Sequence, residues 1–153
     1  MIDQTLCASF KAQVLLGVHD FRVSGGDTFK IALYTASADL GASTTQYTSV
    51  GECTGAGYVA GGRTLTSLGV STDTASNIGF ASFANTTFTG VTLIARGALI
   101  YNTTPSALGP SNAVLTNPAV CVLDFGEDKV INAGNLTIGF PANASNTAIV
   151  RIG

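Results

Sequence analysis

The sequence predicts a mainly β domain, an antiparallel β-sandwich or barrel-like fold with one N-terminal α-helix. Three observations carry this reading. Apolar residues recur at helical spacing only at the start, as Leu6, Phe10 and Val14. After Gly17 the pattern switches to alternation, clearest in Phe29, Ile31 and Leu33. From Arg63 onward, short apolar runs are separated by Gly, Asn and Pro turn signals.

The helix is expected inside residues 4–17, capped by Asp3 or Thr5 and ended by Gly17. The β domain then occupies 18–153, with no linker or repeat, so 1–153 reads as a single domain. Ser24 to Asp27 is a turn, and Phe29 to Thr35 a strand. Residues 36–62 read as loop with short extended pieces, including Gly57 to Val59. Strands follow at Arg63 to Val70, Ile78 to Phe83, Phe88 through Gly90 to Ala95, and Gly97 to Tyr101, with a bulge expected at Gly97. Asn102 to Pro118 is a proline-marked loop. Ala119 to Phe125 is too apolar for an edge strand, so both its faces should be covered. Leu136 to Phe140 and Ala148 to Ile152 complete the set. The expected core includes Phe29, Ile31, Leu33, Leu99, Val120, Val122 and Leu123.

Composition narrows the function. Hydrophobic residues make up 46% of the chain and charged ones 10%, against about 25% charged in an average domain. Seven basic residues lie scattered, so no stripe exists to track a phosphate backbone, and no nucleic-acid partner is expected. No apolar run is long enough for a membrane helix, and the start lacks a basic n-region, so no membrane association or signal peptide is expected. Cys7, Cys53 and Cys121 are widely spaced and read as buried thiols of a chain folded in a reducing cytosol.

Catalytic constellations are sparse. His19 is the single histidine. It sits between apolar neighbours and reads as a hydrogen-bonded structural residue at a helix-to-strand corner. Gly55-Ala56-Gly57-Tyr58-Val59-Ala60 matches the dinucleotide fingerprint in letters but lacks the preceding strand and following helix. Asp124-Phe125-Gly126 spells the kinase magnesium triplet without the rest of the kinase set. Asp124, Glu127 and Asp128 offer too few oxygens for calcium. Four N-x-[ST] sequons, at Asn85, Asn102, Asn135 and Asn143, are expected by chance in a chain this rich in Ser and Thr. No catalytic, cofactor-binding or metal-binding residue is assigned, no cofactor is expected, and the chain reads as not an enzyme.

A surface this poor in charge is tolerable when much of it is covered by partners. The candidate interface comprises Leu6, Phe10 and Val14 on the helix, with Tyr101, Arg96 and Arg151; the loop Asn102 to Pro118 is a further exposed patch. Arg96 and Arg151 each interrupt apolar strand sequence, so each needs a carboxylate or carbonyl partner, with Asp124 and Asp27 the first acids to test.

Ordered blocks along nearly the whole chain carry a family likeness. They include Leu6-Cys7-Ala8-Ser9-Phe10-Lys11, Gly17-Val18-His19-Asp20-Phe21 and Gly26-Asp27-Thr28-Phe29-Lys30-Ile31-Ala32-Leu33-Tyr34-Thr35. Gly55 to Gly62, Ala95 to Asn102, Ala119 to Gly126 and the closing Ala148 to Ile152 continue the series. In these blocks the chain resembles a family of small structural virion proteins of tailed bacteriophages; the loop Asn102 to Pro118 is longer than is usual there. The resemblance implies a particle component without enzymatic activity, made in the host cytoplasm and resident in the virion. A capsid decoration or cement protein is the first expectation, with a tail or fibre-attached component, of the adhesion class, as the alternative. The implied partners are other virion proteins, either the major capsid protein or tail proteins, together with further copies of the chain in a homo-oligomer.

Overall fold

The computed structural model describes residues 1–153. It is 44% strand and 7% helix, with all named strand pairs antiparallel. The strands are β1 (Thr5–Leu6), β2 (Phe29–Tyr34), β3 (Arg63–Thr64), β4 (Ser67–Asp73), β5 (Ile78–Phe83), β6 (Thr86–Asn102), β7 (Ala119–Ile138) and β8 (Val150–Ile152), and the helix is α1 (Ala8–Leu15). Two open sheets form a sandwich rather than a closed barrel: β1-β7-β6-β2-β3 and β4-β5-β8.

The helix is shorter than its periodicity predicts. Thr5 and Leu6 are taken by the sheet, where Leu6 pairs with Cys121. Neither Asp3 nor Thr5 caps the helix; Cys7 stands at the N-cap with no side-chain bond, and the Ala42 carbonyl accepts the free Ala8 N–H. Gly17 does end it. At φ +69 it lets its own N–H reach the Val14 carbonyl and the Val18 N–H reach Gln13, which satisfies the last turn.

β2 and β5 fall where alternation places them. The predicted strand from Arg63 to Val70 is in fact two: β3 pairs with β2, while β4 crosses to the other sheet. The short strands predicted within 88–101 and 119–140 are parts of two long ones, β6 and β7, paired from Tyr101–Ala119 to Thr86–Ile138. The irregularity near Gly97 is present, but the extra residues belong to the partner. Ala95 pairs with Lys129 and Gly97 with Asp124, so Phe125 to Asp128 stand opposite Arg96 alone. Gly97 is required for close approach, since a Cβ there would lie 2.4 Å from the Leu123 carbonyl oxygen.

One cluster of 29 buried residues fills the interior. Phe29 of β2 stacks on Phe21 at 4.4 Å and meets Phe83 of β5 at 5.5 Å, which joins the sheets. The alternate residues of β2 turn Ala32 and Tyr34 to the other face, under residues 36–62, so β2 is covered on both sides. Of the expected core, only Leu123 is half-buried; it borders a cleft of about 300 Å3 with Phe125, Leu136 and Phe140. Val122 is fully buried. Val122→Asp should therefore abolish folding, because an unpaired buried carboxylate costs several kcal/mol, a large share of the ~5–15 kcal/mol that holds a domain folded. Soluble V122D protein with a cooperative unfolding transition would contradict this placement.

Past Val122, β7 has β6 on one side and no strand on the other. Gln4 Oε1 accepts the Asp124 N–H. Beyond it the edge is blunted by the bulged stretch that contains Gly126 (φ +77) and by Glu127, Asp128 and Lys129.

Candidate interaction surface

Leu6, Phe10, Val14 and Arg151 come together. A groove of about 310 Å3 between α1 and the C-terminal strand β8 is lined by Leu6, Phe10, Val14, Leu15 and Ile152, with Lys11 and Arg151 as its charged residues. A second cleft, about 210 Å3, shares Phe10, Val14 and Ile152 with the first and is bordered also by Val70, Phe80 and Val150. β8 is an edge strand, paired only with β5. Leu15 (87% exposed), Val70 (60%) and Ile152 (53%) rim these clefts and make one apolar face. Ile94 and Val130, directly paired across β6 and β7, form a smaller exposed apolar spot elsewhere.

Phe10 reaches the groove but is almost wholly covered, and Tyr101 and Arg96 are placed elsewhere. Phe10 is only 1% exposed; it packs against the His19 and Phe21 rings as part of the core. Its helical spacing marks a buried face, and burial within the chain satisfies that pattern as well as burial in an interface. Tyr101, 3% exposed, is likewise interior, stacked on Tyr47 at 4.8 Å. Arg96 is remote from α1 and half-exposed; its Nε donates to Asp124 Oδ1 at 3.2 Å. The N–H of Gly126 and then Arg96 hold the Asp124 carboxyl below its usual range. Arg151 Nη1 donates to the Asn146 carbonyl at 3.0 Å. Asp27, the other acid suggested for the arginines, accepts instead from Asn102, Ser106 and the Asp20 N–H.

Two polar clusters hold the loops. The first was not foreseen. Residues 36–62 form a strap over β2, and Glu52, part of that strap and bridged to Tyr34, ties it together. Its Oε2 accepts from Tyr47 Oη at 2.6 Å, and its Oε1 from Tyr58 Oη and the Gly61 N–H, each at 2.7 Å. Tyr58 Oη in turn accepts the Leu33 N–H, and Tyr101 Oη donates to the Gly61 carbonyl. Tyr34 Oη donates to the Thr48 carbonyl. All four tyrosines of the chain thus meet here. Burial, then the Glu52 carboxylate, raises the phenols of Tyr47 and Tyr58 well above the ordinary range and moves Tyr101 up to about 12. Every oxygen in the group is engaged in positioning the strap. A signal did exist in the sequence: Glu52 is the single charged residue between Leu40 and Gly62. The Gly55–Gly57 motif serves the same strap. A Cβ at Gly55 would lie 1.9 Å from the Thr92 carbonyl oxygen and one at Gly57 2.3 Å from that of Gly90, so both glycines let the strap touch β6.

The second cluster surrounds His19. Nε2 lies 2.7 Å from Gln13 Oε1, and Nδ1 lies 3.1 Å from Asn102 Nδ2. An amide oxygen accepts and an amide nitrogen donates, so the ring carries its proton on Nε2. Asn102 Nδ2 also donates to Asp27 Oδ2 at 2.7 Å, and Asn102 Oδ1 accepts the Thr104 N–H at 2.9 Å. The three thiols are buried, and burial pushes Cys7 up to about 11 and Cys53 to about 12. No helix is long and apolar enough to cross a membrane. Comparison of the chain with protein-family models, with curated proteins and with solved structures finds no match.

Proposed function

We propose that the chain is a structural component of a tailed-bacteriophage virion, a decoration protein that clamps neighbouring subunits of the capsid shell. The observation that carries this reading is the apolar face formed by Leu15, Val70 and Ile152 around the edge strand β8, on a chain with so few charged residues. Apolar faces of this kind on otherwise stable domains mark contact sites. The family likeness of the sequence blocks supplies the setting. The partners are the major capsid protein and further copies of the chain, and the mechanism is burial of area rather than chemistry. A standard interface of ~1,600 Å2, a little over half of it apolar, contributes on the order of 20 kcal/mol before the costs of association. Repetition over many copies would let such contacts resist internal pressure.

The test combines the exposed changes Leu15→Asp and Val70→Asp. Neither side chain is in the core, so unfolding should shift by no more than about 0.5 kcal/mol per site. Binding to particles stripped of the protein should fall about 100-fold or more, because two carboxylates would be desolvated in the contact. Unchanged binding, or a wild-type chain that sediments as a monomer and does not rebind, would overturn the reading. Copy number on a quantitative gel separates positions: hundreds per particle place the chain on the shell, and tens or fewer on the tail.

A further inference from the structure

We propose that His19 is a proton-sensing lock for the loop at 103–118: uptake of one solvent proton at Nδ1 frees the base of that loop while both sheets stay folded. The argument rests on donor and acceptor matching. His19 touches α1 through Gln13 and Phe10, the 18–28 segment, and the end of β6 through Asn102. In the neutral ring Nδ1 is an acceptor, and it takes one hydrogen of the Asn102 amide. A protonated ring has donors at both nitrogens, so Nδ1–H would face the Asn102 NH2.

The Asn102 amide can answer only by turning over. Its oxygen then accepts from the ring, but the Thr104 N–H meets an NH2 group and Asp27 Oδ2 loses one of its two donors, keeping only the Asp20 N–H. One bond forms and two are lost, at a fully buried residue where unmet polar groups are costly. Thr104 and Asp27 are the posts of the loop. Thr104 Oγ1 accepts the Thr28 N–H, Ser106 Oγ donates to Asp27 Oδ1, and the Ser106 N–H donates to the Val18 carbonyl.

The charged groups near the ring are few. Asp27 lies behind Asn102, and the exposed Asp20–Arg22 pair lies on the same 18–28 segment. From α1, β2 and sheet β4-β5-β8 the neighbours are Gln13, Phe10, Phe29, Phe80 and Ile152, none of which titrates. Burial lowers His19 to about 4, and the negative Asp27 opposes that shift only in part. With the base of the loop open the Asn102 amide is free to turn, the donor clash at Nδ1 disappears, and the ring's value rises towards the ordinary value of about 6.5. The open state therefore binds the proton more tightly. The lock is fully engaged above pH 6.5 and weakens progressively as pH falls towards 4. The lock is a property of the isolated chain and does not depend on the virion reading.

With one histidine in the chain, ring 15N resonances are unambiguous. The experiment follows them together with backbone amide exchange, corrected for intrinsic rates, from pH 7.5 to 4. The expected result is an Nε2–H ring at neutral pH. Protection at Thr104 and Ser106 should fall about tenfold or more as pH drops through the window, while the amides of Ile31 to Tyr34 keep theirs. His19→Phe, which keeps the ring packing and removes the proton site, should show no step. If that variant does not fold, the wild-type ring and amide profiles decide alone. A ring that titrates at its ordinary value, amides that ignore the ring, a step that persists in H19F, or simultaneous loss of protection in β2 would each overturn the lock.

Discussion

Glu52→Leu should be among the most destabilising single substitutions in this chain, at about 3–5 kcal/mol. The change removes the acceptor of three hydrogen bonds at once, those from Tyr47, Tyr58 and the Gly61 N–H. Bonds to a charged group contribute roughly 1.5–3 kcal/mol each, and a donor left without a partner costs its desolvation as well. The three do not add fully, because Tyr47 is half-buried and can turn to water. Glu52→Gln should cost less, about 1–2 kcal/mol, since one oxygen survives while the amide nitrogen opposes a remaining donor. Urea unfolding of both variants gives the comparison. Equal costs for Leu and Gln, or a loss under about 1 kcal/mol for Leu, would show that the strap is held by packing instead. A cycle with Tyr58→Phe isolates the pairwise part.

Gly62→Ala is expected to be of similar severity for a different reason. Its φ is +73, and an added Cβ would lie 1.8 Å from the carbonyl oxygen of Ile31 and 2.6 Å from its carbon. The obstacle is backbone in the centre of the fold, so no rotamer change relieves it. β3 would have to leave β2, giving up the pairs Ile31–Arg63 and Lys30–Thr64. Left-handed strain of about 1–2 kcal/mol and displacement of the strand together should reach about 3–5 kcal/mol. Gly25→Ala separates the two contributions. Its φ is +74, but nothing lies within 4 Å of the new Cβ, so only the strain should register. If thermal unfolding ranks the two variants equally, close approach is not what Gly62 provides.

The sequence showed some elements clearly and hid others for physical reasons. β2 could be read because Phe29, Ile31 and Leu33 alternate without interruption, and β5 because it is a short run bounded by turn signals. The helix start could not be read, since Leu6 fits the helical spacing of Phe10 and Val14 and equally fits a strand. The free edge of β7 at Cys121 and Val122 decided it. The sequence divides β6 at Gly97, which reads as a bulge, and ends the first part of β7 at Phe125 because Gly126 looks like a turn. In the fold Gly97 permits close approach, and Gly126 lies in the stretch set against Arg96. An apolar helix face signals burial without naming what covers it: Leu6, Phe10 and Val14 all border the groove, yet Phe10 is at the same time part of the core. Arg151 comes to α1 only because β8 docks on β5. The Glu52 cluster depends on four tyrosines brought together by long-range topology, which no local pattern encodes.

The pairing of Thr5 with Val122 bears on how the chain is made. Thr5 finds its hydrogen-bond partner only after more than a hundred further residues have been synthesised. At ~5–20 residues per second of synthesis, the first residues wait on the order of ten seconds with Leu6, Phe10 and Val14 exposed. β2 waits as well, because its partner β6 also comes late. Pairings so distant along the chain make for slow folding, in milliseconds to seconds. The segment from Leu6 to Val14 is therefore where a chaperone would be needed first, and where aggregation of the unfinished chain would start.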